Sequence, residues 1–235
     1  MKGKIFITSI LIVLFSSGFM VLESNEKKET RNVGTFSSLS LSIAAEVFIT
    51  QDSKTEVVIV GDPNTIEHIE TTVANETLKI KYDTKWSVRF KKVKIYVSNP
   101  DWEGIYVAGS GNISNKSTIS SPEIDLAVSG SGNINLDDLK SEEVESRISG
   151  SGDINLTGYK KASSLGISIS GSGNVTADRF RTDNISVRIS GSGDAQVYAE
   201  SALEISISGS GNVTYKGQPV IDAKVSGSGK VRKYD

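Results

Sequence analysis

The side chains that most often supply or activate a catalytic nucleophile, cysteine and histidine, are almost absent from this 235-residue chain. The sequence contains no cysteine, which excludes disulfides, thiolate nucleophiles and thiolate metal sites. His68 is the only histidine, so a Ser/His mechanism would depend on this one residue. It lies in Thr65–Glu70, a segment typical of a surface turn or a short helix. We therefore assign no catalytic residue of this kind.

Carboxylates offer a second kind of chemistry, because two of them can act as acid and base on either side of a glycosidic bond. Asp153 and Asp194 occupy equivalent positions in a repeat, with Asn174 between them, at about 10 Å by the spacing of stacked strands. That separation is within reach of an inverting pair. Exchange of Asn for Asp at a repeated structural position is the simpler interpretation.

One acidic segment contains oxygen ligands of the kind that calcium prefers. Its spacing matches no known calcium loop, so a solvated charged surface is the favoured interpretation. No metal site and no cofactor site is predicted. The carboxylates of this segment are Asp137, Asp138, Glu142, Glu143 and Glu145.

The largest local charge excess is a basic stretch in the first half of the chain. Asp83 is the single acid among seven lysines and arginines there. Alternation places part of the set on an outer strand face, where it could bind an anionic polysaccharide or surface glycan. The alternative is a solvated face with a charged edge. The candidate binding residues are Lys79, Lys81, Lys85, Trp86, Arg89, Lys91, Lys92 and Lys94.

The net charge of −2 gives no general attraction to nucleic acid or to an anionic membrane. At the N-terminus, Lys2 and Lys4 precede the apolar stretch Ile5–Leu14, and small residues follow at Ser16–Gly18. This order predicts a secretory signal over residues 1–23, and an uncleaved anchor is the alternative. We expect export to the periplasm, the outer membrane surface or the medium, with no membrane span in the mature chain.

A repeat must position all these residues. The triplet Gly-Ser-Gly occurs seven times, at intervals of 18 to 21 residues. A fixed period in this range is typical of a solenoid, in which stacked units bury a core that no single unit could bury. Propeller blades need longer repeats, and the leucine pattern of leucine-rich repeats is absent.

Around each triplet, apolar and polar residues alternate with period two, which predicts β-strands. The alternation places both glycines on the inner side, at a corner that leaves no room for a Cβ and favours positive φ. We predict an all-β parallel β-helix with about 18–21 residues per coil. The corner residues are Gly109, Gly111, Gly130, Gly132, Gly150, Gly152, Gly171, Gly173, Gly191, Gly193, Gly209, Gly211, Gly227 and Gly229.

Residues 24–107 lack the triplet but contain the same alternation, for example in Leu39–Ile43. We interpret them as an irregular N-terminal β cap and first coils, continuous with the triplet coils at 108–235. A separate small β-domain is the alternative. Within this half, Thr65–Val73 is predicted to form a short helix. Segments between corners, such as Gly158–Leu165, are predicted to be loops that carry specificity.

Several segments resemble the head GIN domain family of auto-transporter adhesins. The resemblance covers residues 31–235 and implies an exported bacterial envelope protein with a right-handed β-helical fold. The segments that carry it are the Arg31 to Phe36 lead, Glu46–Gln51, Val57–Gly61, Asn75–Ile80 and the recurring Gly-Ser-Gly-Asn-Ile.

These patterns favour a non-enzymatic exported protein whose Ser-, Asn- and Thr-rich faces serve adhesion, envelope scaffolding or glycan contact. The expected partner is a surface glycan or an envelope protein, and no nucleic acid is expected. One alternative is a carbohydrate-active enzyme, a lyase or hydrolase, which would need carboxylates or a Lys/Arg converging on one groove. A second is binding of ice or mineral by flat Ser and Asn ladders.

Overall fold

The computed structural model describes residues 26–83 and 91–234. The predicted signal at 1–23 and three residues of the basic stretch, Lys85, Trp86 and Arg89, lie outside the described residues. Within those ranges the chain forms 18 strands of one continuous sheet and one four-residue helix. The all-β prediction is confirmed.

The second half is a parallel β-solenoid, as the repeat predicts. Each strand pairs in parallel with the equivalent strand of the next coil, and Gly130 is in register with Gly150, which is in register with Gly171. The triplets therefore form a single file along the axis. The strands are β10 Ile119–Gly130, β11 Asn133–Leu136, β12 Leu139–Gly150, β13 Ile154–Gly171, β14 Val175–Gly191, β15 Ala195–Gly209, β16 Val213–Lys216, β17 Val220–Gly227 and β18 Val231–Lys233.

The first half forms the initial coils and closes one end of the solenoid with antiparallel strands. Its elements are β1 Lys27–Arg31, β2 Ser38–Leu41, β3 Ala45–Gln51, β4 Glu56–Gly61, α1 Pro63–Ile66, β5 Ile69–Ala74, β6 Thr77–Tyr82, β7 Val93–Asn99, β8 Gly104–Val107 and β9 Asn112–Asn115.

The order of the first coils in space differs from their order in the chain. Strand β2 pairs in parallel with β6 and β8, and β3 pairs in parallel with β7 and β9. The first coil in the chain therefore lies between the second and third coils in space. Strands β1, β4 and β5 pair antiparallel beyond these coils.

Two local predictions are wrong. The helix predicted over Thr65–Val73 is only the single turn α1, because Ile69–Ala74, which is rich in β-branched residues, pairs with β6 as strand β5. The segment Gly158–Leu165, predicted as a loop, lies inside strand β13. Irregular register between β13 and β14 absorbs the extra residues there.

The two glycines of each triplet have different roles. In six triplets the first glycine has φ between +125° and +140°, and in five of these it is half-buried between two exposed serines. The second glycine is buried in six triplets. A Cβ there would collide with the carbonyl oxygen of the second glycine one coil earlier, as at Gly173 over Gly152. Close stacking of backbones, more than collision with the core, therefore requires glycine.

One inward-facing column of the coils contains a single polar residue. Ser146 lies between Leu126 and Ile167 in adjacent coils, is fully buried, and its hydroxyl has no hydrogen-bond partner. An unsatisfied buried hydroxyl costs about 1–3 kcal/mol.

We therefore expect Ser146→Ala to raise the free energy of unfolding by about 1–2 kcal/mol in urea denaturation. The matched control Ser149→Ala, on the exposed face of the same strand, should change it by less than about 0.5 kcal/mol. A stability loss in Ser146→Ala would contradict the assignment of an unpaired hydroxyl.

Candidate functional site

A single outer row of side chains runs the length of the solenoid, and we call it the axial row. Its members occupy the same outward position on successive strands, because parallel pairing in register repeats each position about every 4.8 Å. In spatial order they are Thr30, the buried Val58, Tyr96, Phe48, Ser114, Asn135, Asn155, Thr176, Gln196, Thr214 and Arg232.

The row contains an aromatic pair, the half-buried Phe48 and the exposed Tyr96, which we call the aromatic platform. The rings of Phe48 and Tyr96 are stacked, with centroids 5.3 Å apart and planes at 28°. Tyr96 is 42% exposed. The ammonium of Lys116 lies 4.3 Å from the Phe48 ring centroid. Such a surface suits the apolar face of a sugar ring, since aromatic side chains provide large contact area at low entropic cost.

Beside the axial row lies a ladder of Asn and Asp residues, one after the second glycine of each of the first six triplets. From Asn112 to Asp194, the Oδ1 atom of each of these side chains accepts a hydrogen bond from the next coil. Asp153 Oδ1, for example, accepts from the backbone N–H and the Nδ2 of Asn174, both at 2.9 Å. Asn174 Oδ1 in turn accepts from the Asp194 backbone at 3.1 Å. The ladder thus caps the corners and holds adjacent coils in register.

Shallow grooves run between the ladder and the axial row. One of about 310 Å³ is lined by Asp153, Asn174 and Thr176, among others, and a second of about 350 Å³ by Asn212, Thr214 and Arg232, among others. Both are also lined by Asp194 and Gln196, so they adjoin. The result is a polar trough parallel to the solenoid axis.

Asp153 and Asp194, which the sequence places within reach of an inverting pair, take part in this capping. Asp194 Oδ1 accepts from the Asn212 backbone at 2.7 Å and from its Nδ2 at 2.9 Å, as Asp153 does from Asn174. Substitution of Asn by Asp at this position retains the acceptor that the ladder requires. The bonds give both carboxylates a structural role.

The basic stretch is divided between two strands. Lys79 and Lys81 lie on β6, which pairs with β2 and β5, whereas Lys94 lies on β7, which pairs with β3 and β4. Lys81 forms an ion pair with Glu70 at 3.0 Å. Lys92 is exposed on the segment that leads into β7. Binding by this stretch stays a prediction.

Lys91 is paired with Asp62 at 2.7 Å. The hydrogen bond that it donates lowers the pKa of the Asp62 carboxyl, with its positive charge adding to the effect. This pair ties the segment before β7 to the N-terminus of α1. The contact gives Lys91 a structural role within the cap.

The other candidate residues lie apart from the axial row. His68 follows α1, with Nε2 3.6 Å from the Glu67 carboxylate. In the acidic segment, Asp138 accepts a short hydrogen bond from Thr118 and adopts φ +56°, while Glu142 pairs with Lys160. Within residues 26–83 and 91–234, no cluster of three or more His, Asp or Glu could hold a metal ion.

A second polar site lies near the N-terminal end of β10, in a groove of about 550 Å³. Glu103 accepts a hydrogen bond from Ser37 at 2.9 Å, and Asp125 pairs with Arg147 at 3.1 Å. Burial raises the pKa of the Tyr106 hydroxyl, and the negative charge of Asp125 adds to this. The groove is lined by Ser38, Asp101, Trp102, Glu103, Tyr106, Ser120, Ser121, Pro122, Glu123 and Asp125.

Sequence reasoning missed the aromatic platform. Its signal was present: Phe48 and Tyr96 are large apolar residues at outward positions of alternating strands, Glu46–Gln51 and Val93–Asn99. Only the pairing of β3 with β7 brings them together. The polar faces of the coils, by contrast, were recognised from the repeat.

A family model described as "Putative auto-transporter adhesin, head GIN domain" matches residues 35–219, most of the chain. The chain belongs to the head GIN domain family. This confirms the resemblance that the corner motifs and cap strands suggest. No curated protein matches the chain.

Solved structures share the fold of this head GIN domain. A "putative adhesin" from Bacteroides fragilis is 26% identical, with a TM-score of 0.84 over 89% of this chain and 97% of that one. A "putative lipid binding protein" from Parabacteroides distasonis is 22% identical, with a TM-score of 0.73 over 91% and 98%. A "putative adhesin" from Parabacteroides merdae is 20% identical, with a TM-score of 0.71 over 91% and 98%. At that identity the last two show the fold alone.

The described part of this head GIN domain has no helix long and apolar enough to cross a membrane.

Proposed function

We propose that this head GIN domain is an exported, non-enzymatic adhesion module that binds an extended surface glycan along the axial row. The single observation that carries the proposal is the alignment of the stacked Phe48–Tyr96 pair, of which Tyr96 is exposed, with a column of amide and hydroxyl side chains. The family's description as an adhesin supports the functional class. The basic and apolar pattern of residues 1–23 supports export.

The chemistry of the row fits a repeating polyhydroxylated chain. Asn155, Thr176 and Gln196 present donors and acceptors at one position per coil, so successive sugar units would meet similar groups. The aromatic platform would anchor one ring by stacking. Once one sugar unit is bound, the next unit of the same chain has a high effective concentration at the neighbouring coil. Individually modest sugar contacts therefore suffice together for adhesion.

A glycan array followed by titration calorimetry on the best ligand tests the proposal. Tyr96→Ala and the pair Asn155→Ala/Thr176→Ala should each weaken binding by about tenfold, or about 1.4 kcal/mol. The matched controls are Ser168→Ala and Ser206→Ala. Both serines are exposed and belong to a different outward-facing row, so these variants should bind as the wild type does. A third arm replaces Lys91, Lys92 and Lys94 with Ala. Loss of binding in this variant, with unchanged binding by the axial-row variants, would place the binding site on the basic stretch.

The groove near β10 favours a second candidate function, hydrolysis or elimination of a polysaccharide, because four carboxylates and a tyrosine line it. A general acid needs a carboxyl shielded from water, and Asp101, Glu103 and Glu123 are all exposed. This geometry favours binding over catalysis. Release of reducing ends or unsaturated products from acidic glycans, abolished by Glu103→Gln or Asp125→Asn, would establish the enzyme instead.

A further inference from the structure

The two ends of the solenoid differ. At the N-terminal end, antiparallel strands cover the coils, but at the other end every residue of β17 is exposed. Ile221 and Val225 continue two inward-facing columns of the coils, in register with the buried Leu203 and Ile207, and yet they are 40% and 43% exposed. Among the described residues, β17 pairs only with β15 and β17 has no strand on its other edge. An edge of this kind is a template for another strand.

We propose that β17 pairs antiparallel with β17 of a second copy of this chain, about a two-fold axis at Ala223. In that register Ile221 lies opposite Val225 of the other copy, so the apolar inward-facing side of β17 continues from one solenoid into the other. On the outer face, Asp222 lies opposite Lys224, and the two-fold axis repeats this pair. Opposite charges directly across an antiparallel pair are stabilising, and like charges are destabilising.

The sequence of β17 is thus complementary to itself in reverse, which is what an isologous interface requires. The neighbouring end strand β18 differs, because Arg232 and Lys233 would place like charges together in any self-pairing. That charge pattern assigns the contact to β17. The register also explains why an exposed edge with three inward-facing apolar side chains has two opposite charges on its outer face and no run of lysines.

Sedimentation equilibrium and light scattering across a concentration series test the proposal with charge-swapped variants of the whole protein. Asp222→Lys places Lys opposite Lys twice, and Lys224→Asp places Asp opposite Asp twice. Each single variant should weaken the dimer by at least about tenfold relative to the wild type. An equimolar mixture of the two should dimerise again, because each Lys then faces an Asp, and the double variant should behave as the wild type does.

Glu204→Lys is the matched control, because it changes an exposed charge at the equivalent position of β15, one strand inward. It should leave dimerisation unchanged. Circular dichroism melting checks that each variant is folded, which we expect because every altered side chain is exposed. A wild type that is monomeric at all concentrations would overturn the proposal, as would a mixture that stays as weak as its components. Dimers indifferent to both single swaps would place the interface elsewhere.

Discussion

Gly173→Ala is expected to lower the free energy of unfolding by about 3 kcal/mol or more. The added Cβ would collide with the carbonyl oxygen of Gly152 and would lie 2.7 Å from Cγ2 of Ile148. A backbone oxygen cannot rotate away as a side chain can, so relief requires separating two coils that pair along most of their length. Urea denaturation followed by far-UV circular dichroism measures the loss.

The first glycine should be equally intolerant, because its backbone conformation adds to a similar collision. Gly171 has φ +134°, a conformation that residues with a side chain rarely adopt, and its Cβ would meet the carbonyl of Gly150. Gly109 is the control within the same motif, since it is not among the positive-φ glycines and its nearest neighbour would lie 3.5 Å away. Gly109→Ala should change stability by less than about 0.5 kcal/mol. Equal losses in Gly171→Ala and Gly109→Ala would contradict the described corners.

The repeat made the second half of the fold predictable. Period-two alternation fixes which side chains are buried, and a constant interval between triplets fixes which residues stack, so both the strands and their register follow from local pattern. Ile148, Ile169 and Ile189 are buried as that reasoning requires. The alternation also carries through the corner, because the half-buried Gly171 lies between two exposed serines and is followed by the buried Gly173.

The first half was less predictable, because pattern identifies strands but not their partners. Nothing in Leu39–Ile43 or Leu78–Tyr82 indicates that the earlier segment lies between two later coils. Likewise, Thr65–Val73 contains residues compatible with a helix in isolation. The free edge of β6 makes part of it a strand. Tertiary context overrides local preference here.

The same limitation applies to the candidate site. The polar column could be predicted from the repeat because its members share one position in each coil. The aromatic platform depends on Phe48 and Tyr96, which lie in coils without the triplet, so their alignment with Ser114 and Asn135 follows only from the pairing of β3, β7 and β9. Lys79 and Lys94 belong to one basic stretch of the sequence, but they lie on β6 and β7, which have different partner strands. Local pattern does not reveal those partners.

Asn99→Asp should produce the second large loss, about 3–5 kcal/mol at neutral pH. The Asn99 side chain is buried, and its Nδ2 donates to the carbonyl oxygens of Phe36 at 2.8 Å and Asp101 at 2.6 Å. Its Oδ1 accepts from the Thr55 hydroxyl at 2.9 Å. A carboxylate of the same shape donates nothing. It would place a buried negative charge against two carbonyl oxygens.

This loss should depend on pH, and its sign follows from burial. Desolvation would raise the pKa of a carboxyl at position 99 in the folded state above its unfolded value of about 3.9. The folded state then binds the proton more tightly, so stability falls as pH rises above about 4, and the deficit shrinks in acid. Denaturation at about pH 4 and pH 7 would show this slope for Asn99→Asp relative to the wild type.

Asn184→Asp is the matched control, because Asn184 is exposed and donates only a long bond of 3.4 Å to Ser163. Its stability should stay within about 0.5 kcal/mol of the wild type at both pH values. Asn99 joins the lead into β2 to the segment carrying Trp102 and Glu103, so its loss should also open the groove near β10. A loss of stability in Asn99→Asp that does not change with pH would mean that the carboxylate reaches water. This segment would then open locally while the solenoid stays folded.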